Sequence, residues 1–249
     1  MTVRLLALAW VVGLFTVLPA LSAGGQHRLE EPRRSRLRLY AVAAASLLLL
    51  GAVTTVLDLL GTPYGLRGLG APLPAGRLLA WAAGTLLALA AAWLARPLVR
   101  KLRGRPVGLG LSAIVPESSG EKLAFVGLVL VAGIVEEYVY RGFCLGFLAD
   151  LTGSTLLAAL LSVGGFAAGH AYRGRKVLLR TAVGGAIFTV PVLATGSLLP
   201  SILAHVAMDL TQGFRSREIL IALRLAVPAA PPEEAADAGE PRESGAGAA

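Results

Sequence analysis

Apolar runs of bilayer-spanning length recur along the chain, separated by short polar or glycine-rich breaks. They are Leu5–Gln26, Leu39–Leu57, Leu78–Ala95, Lys122–Leu148, Thr155–Ala171, Thr181–Leu199, and a last run from Pro200 to just before Arg215. A helix needs about 20 predominantly apolar residues to cross the hydrocarbon core of a membrane. The pattern therefore predicts an all-α, polytopic transmembrane helical bundle of about seven spans. The period-two alternation of a membrane barrel is missing. Gly61–Gly76, rich in Gly and Pro, reads as an outer loop, and Val107–Gly120 as a loop or interfacial segment. Within the latter, Pro116 and Ser118-Ser119 prepare a helix start at Glu121. Gly184-Gly185, Pro191 and Gly196 predict a short or kinked sixth span, and the weak boundary near Gly196 leaves six or eight spans open.

Composition agrees with the pattern. The chain is 55% hydrophobic and 15% charged, which excludes an ordinary soluble domain. Its net charge of +8 sits in alternate connections: Arg28, Arg33, Arg34, Arg36 and Arg38; then Arg96, Arg100, Lys101, Arg103 and Arg105; then Arg173, Arg175, Lys176 and Arg180. That spacing follows the positive-inside rule and suits anionic lipid, so the bilayer rather than nucleic acid is the expected partner. It places the N-terminus outside and the C-terminus in the cytoplasm, and the Ala, Arg and Leu usage suggests a bacterial inner (cell) membrane. Ala20-Leu-Ser-Ala23 resembles a signal-peptide cleavage site, but the basic cluster after it favours a retained first span. The expected organisation is N-terminal helices and basic loops over 1–106, a site-bearing domain over 107–227, and a disordered cytoplasmic tail over 228–249. No internal repeat is apparent. The single cysteine, Cys144, excludes an intrachain disulfide and reads as a packing residue.

One stretch resists the apolar pattern. Val131–Gly142 carries Glu136, Glu137 and Arg141 inside the fourth run. A charge at a helix centre in lipid costs about 2.5–3.5 kcal/mol, so these groups must pair or face a cavity. Arg141 follows Glu137 by one helical turn, in the favourable acid-before-base order. Glu136 lies about 100° away around the helix. The pair can therefore orient the helix while Glu136 is left to take or give a proton. His27 lies in the first basic loop and is expected to be inert. His170 ends the fifth run one turn after Phe166, which can pack on its ring, and His205 shares a face of the seventh run with Asp209. Full-length crossings would put His170 near the cytoplasmic end and His205 toward the outer end. The fifth and seventh spans would then need displacement or kinks, at Gly164-Gly165 and Pro200, for the site to close. Proton-coupled transport, or a non-catalytic immunity or scaffold role, are the other readings these residues allow.

Glu136-Glu137-x-x-x-Arg141, Phe166-x-x-x-His170 and His205-x-x-x-Asp209, in that order, resemble the three-motif signature of the CPBP family. These are the CAAX prenyl protease type II and bacteriocin-processing (Abi) intramembrane peptidases. The resemblance covers about Leu123 to Arg215 and departs at Asp209, where asparagine is the commoner family residue. It implies hydrolysis of a peptide bond in a peptide or membrane-protein substrate. Glu136 helped by His170 would activate water, His205 and Asp209 would steady the oxyanion, and Glu137, Arg141 and Phe166 would orient the site. The family is often described as metalloproteases, and Glu136, His170, His205 and Asp209 could hold Zn²⁺. No His-Glu-x-x-His helix is present, which favours a glutamate-dependent reaction with no certain cofactor.

Overall fold

The structure, a computed structural model, describes residues 2–23, 36–104, 107–108, 115–171, 174–224 and 226–227. His27, most of the first basic cluster and the tail 228–249 lie outside the described residues. The described chain is an all-α bundle. Its elements are α1 (Thr2–Ala23), α2 (Arg36–Leu60), α3 (Tyr64–Gly70), α4 (Ala75–Leu102), α5 (Ser119–Glu136), a π-helical segment (Glu137–Cys144), α6 (Leu145–Thr152), α7 (Thr155–Gly169), α8 (Arg175–Thr195), α9 (Leu199–Phe214) and α10 (Ser216–Ala222). Two-residue strands, β1 (Val107–Gly108) and β2 (Ala226–Val227), pair in parallel.

Five helical stretches are long and apolar enough to cross a membrane: Thr2–Ala20, Arg36–Leu60, Ala75–Leu102, Ser119–Thr152 and Val177–Thr195. α7 and α9 are shorter, at 15 and 16 residues. Large apolar side chains cover the outside, among them Leu49, Leu87, Leu123 and Leu156. A helix that is apolar all round needs lipid or protein on every side, so this surface marks an integral membrane protein.

Local chemistry sets the ends that matter. Ser118 Oγ accepts from Glu121 N–H at 3.2 Å and Glu121 Oε2 accepts from Ser118 N–H at 3.1 Å, a capping box that starts α5 at Ser119. The helix thus begins earlier than the expected Glu121. Gly153, at φ 67°, closes α6, and Ser154 Oγ accepts from Leu157 N–H at 3.3 Å to open α7. Gly196, at φ 72°, ends α8. α8 runs through Gly184-Gly185 and Pro191 for 21 residues, so the sixth span is long enough to cross and not short.

The Gly61–Gly76 segment is not a plain loop. Asp58, fully buried at the end of α2, accepts from Leu66 N–H at 2.8 Å, Gly65 N–H at 3.3 Å and Tyr138 O–H at 3.0 Å. The carboxylate caps α3 from another helix and ties it to the motif-bearing segment. Gly65 and Gly142 are in backbone contact, where a Cβ on Gly142 would lie 2.7 Å from Gly65 Cα. α3 is a plug set against the π-helical segment.

Candidate active site

The charged triplet falls where the helix changes pitch. Glu136 ends α5, and Glu137 through Cys144 form the π-helical segment. Such wide turns are frequent at functional sites. Tyr140 O is held from outside by Ser162 Oγ of α7, which donates to it at 2.6 Å. Every residue from Glu137 to Cys144 is buried.

Glu137, with no exposed surface, accepts from Arg141 Nη1 at 3.1 Å, the pairing that the one-turn spacing predicts. The same oxygen, Oε1, accepts from His205 Nδ1 at 2.8 Å. Arg141 Nε and Nη2 and Glu137 Oε2 have no hydrogen-bond partner among the described residues. Aromatic faces take the guanidinium instead, with Arg141 Cζ 4.1 Å from the Phe166 centroid and 5.5 Å from that of Phe188.

A carboxylate paired with arginine only accepts, so the His205 Nδ1 carries a proton and Nε2 faces away from Glu137. Nε2 lies 3.7 Å from Glu136 Oε2 and 3.6 Å from Asp209 Oδ2. The carboxylate that hydrogen-bonds His205 is thus Glu137, from another helix, rather than Asp209 one turn along. Glu136 and Asp209 keep 15% and 38% of their side-chain surface open. His170 Nδ1 donates to Phe166 O at 2.9 Å and leaves Nε2 unengaged by that bond. Phe166 packs on His170 with centroids 4.9 Å apart, as their spacing suggests.

These groups meet without the kinks that full-length crossings would demand. Gly153 lies midway in sequence between Glu136 and His170, so the two antiparallel arms of the α6–α7 hairpin bring both to one depth. α7 does this by stopping early: 15 residues at about 1.5 Å each make about 22 Å, short of the roughly 30 Å hydrocarbon core. On the other side, the α8–α9 turn is sunk into the bundle. Ser197, Leu198 and Ser201 are fully buried, and Leu198 N–H donates to Gly68 O of the α3 plug at 3.0 Å. His205 stands about two turns beyond this recessed turn and so reaches the same level.

Glu136, His170, His205 and Asp209 line one cavity of about 440 Å³. Sequence reasoning missed further wall residues: Leu89 and Trp93 from α4, Arg180 and Phe188 from α8, and Gln212 from α9. Gln212 was findable, because it continues the face of His205 and Asp209 by one more turn. Phe188 and Trp93 gave no signal, since each is an aromatic residue in an apolar run. Among the described residues, no three His, Cys, Asp or Glu side chains close around a point as a metal ion requires. Glu136, His170, His205 and Asp209 share the cavity, with His205 Nε2 3.7 Å from Glu136 Oε2 and 3.6 Å from Asp209 Oδ2.

Residues 118–211 match the family described as type II CAAX prenyl endopeptidase, Rce1-like. Comparison with curated proteins gives no match, and comparison with solved structures gives none. The matched segment begins at the Ser118 cap and ends beyond Asp209, so it contains every motif residue named above.

Proposed function

From that match, which supports membership of the CPBP family and a CAAX-type intramembrane protease in general, we propose that the chain hydrolyses peptide bonds of membrane-associated substrates with a metal-free, glutamate-activated water. The observation that carries this reading is the convergence of Glu136, His170, His205 and Asp209 on one cavity inside an apolar bundle.

Glu136 is the accessible carboxylate of the triplet and acts as general base. It takes a proton from water as the water oxygen attacks the substrate carbonyl carbon. His170 Nε2 accepts a hydrogen bond from the same water and aims it. Three carboxylates surround the His205 ring, and a ring protonated on both nitrogens satisfies them. Its Nδ1–H stays on Glu137 while its Nε2–H turns to the oxygen on which negative charge develops. Stabilising that oxyanion is the largest expected contribution, and loss of one such donor costs about 10²–10³ in rate. The tetrahedral species collapses with cleavage of the C–N bond, and Glu136 returns its proton to the departing amine. Asp209 balances the charge on His205 from the cavity side. The alternate basic connections support a C-terminus in the cytoplasm, and the Ala, Arg and Leu usage supports a bacterial cell membrane.

The test is purified protein incubated with a peptide library, with and without chelator, beside Glu136→Gln. Cleavage is expected in both conditions and is lost in the variant. Chelator-sensitive cleavage would overturn the metal-free chemistry, and no cleavage by folded protein would overturn the peptidase reading.

A further inference from the structure

Two phenyl rings tie the buried guanidinium to the two histidines. Phe166 lies under Arg141 and against His170, and Phe188 lies under Arg141 and stacks on His205. The second stack is the closer and flatter, with centroids 4.7 Å apart and ring planes 19° apart. Phe166 shares a helix with its histidine. Phe188 does not, so its contact depends on how α8 meets α9. Ser201, one turn before His205, donates from Oγ to Phe188 O at 2.7 Å and binds the two helices at that level. Gly185, about one turn before Phe188, supplies the clearance. A Cβ there would lie 3.1 Å from Arg141 Nη2 and 3.2 Å from Phe166 Cδ1.

A histidine held by one hydrogen bond can still swing about that bond. His205 has such a bond at Nδ1, while its Nε2 lies beyond hydrogen-bond reach of either cavity carboxylate. A flat contact on the ring face removes the swing. We propose that Phe188 is a positioning residue: its ring, seated on Arg141, fixes the His205 plane so that Nδ1 meets Glu137 while Nε2 faces the cavity. The consequence for activity rests on the peptidase reading; the orientation of the ring does not.

The chain has three histidines, so ring-labelled histidine gives three sets of ¹⁵N signals in micelles, and His205→Ala assigns one. In Phe188→Leu the His205 ring signals are expected to shift or broaden while those of His170 hold. kcat should fall about tenfold with KM within about twofold, as for a transition-state contact. Phe188→Met, equal to leucine in volume but flexible enough to refill the gap, carries the same expectation should the leucine variant unfold. Phe147→Leu removes a buried ring on α6 that stacks on Phe143, and should leave the His205 signals in place. Unchanged His205 signals in the Phe188 variants, or an equal disturbance from Phe147→Leu, would overturn the proposal. Absence of peptidase activity in the parent protein would count against the function instead, and the ring signals would still decide the role of Phe188.

Discussion

Arg141→Met, set against Glu137→Gln, measures how far the buried ion pair holds the bundle together. Both partners are essentially without exposed surface, so solvent does not screen the pair. Removing one partner of a buried pair costs about 3–5 kcal/mol, because the other charge is left uncompensated. Loss of the cation from two aromatic faces adds about 1 kcal/mol. Methionine returns a similar amount through sulfur–aromatic contact with Phe166 and Phe188. The single change should therefore cost about 4 kcal/mol. Glu137→Gln keeps an oxygen that accepts from Arg141 and His205 but leaves the guanidinium charge uncompensated, and should cost about 3 kcal/mol, the low end of that range. In the double variant neither charge is buried, so its cost should be about 3 kcal/mol. The resulting coupling, about 4 kcal/mol, is large for a neighbouring pair. SDS titration in mixed micelles, followed by tryptophan fluorescence, reads all four proteins, with Trp93 placed beside the cavity. Additivity to within about 0.5 kcal/mol would refute the premise that Glu137 and Arg141 act as one buried unit.

Ser162→Ala removes the donor to Tyr140 O and leaves a buried carbonyl of the wide turn without it. We expect a loss of about 1–3 kcal/mol, with faster amide exchange confined to the π-helical segment and α7. Gly65→Ala would place a Cβ 2.5 Å from the Tyr138 ring. It should destabilise the protein by about 1–3 kcal/mol in the same titration, and loosen the α3 plug as read by proteolysis at Gly61–Gly76.

The motif residues were legible because a charge in an apolar run has few physical excuses. Glu136, Glu137 and Arg141 stood out on insertion cost alone, and the one-turn spacing gave the Glu137–Arg141 pair. What the spacing could not give was the partner of His205. Periodicity relates residues on one helix, so it pointed to Asp209, while the hydrogen bond comes from Glu137 across the bundle. α3 was hidden for a related reason. Gly- and Pro-rich composition reads as loop, and the cap that makes it a helix is Asp58, a buried carboxylate from the preceding helix. The depth puzzle came from assuming that every apolar run crosses the whole membrane. α7 does not, and the α8–α9 turn is recessed.

The early end of α7 has a consequence for its own cap. A helix terminus leaves its last carbonyls without helical partners, and in hydrocarbon such groups are tolerated only where protein or water meets them. At this end His170 meets two of them: its backbone N–H donates to Ala167 O at 3.0 Å and its Nδ1 donates to Phe166 O at 2.9 Å. One residue therefore closes the helix and lines the cavity. In a longer α7 the His170 N–H would take Phe166 O, four residues back, as its regular acceptor. The ring would then lose the bond that sets its tautomer, so lengthening the helix would disturb this histidine before touching any other motif side chain.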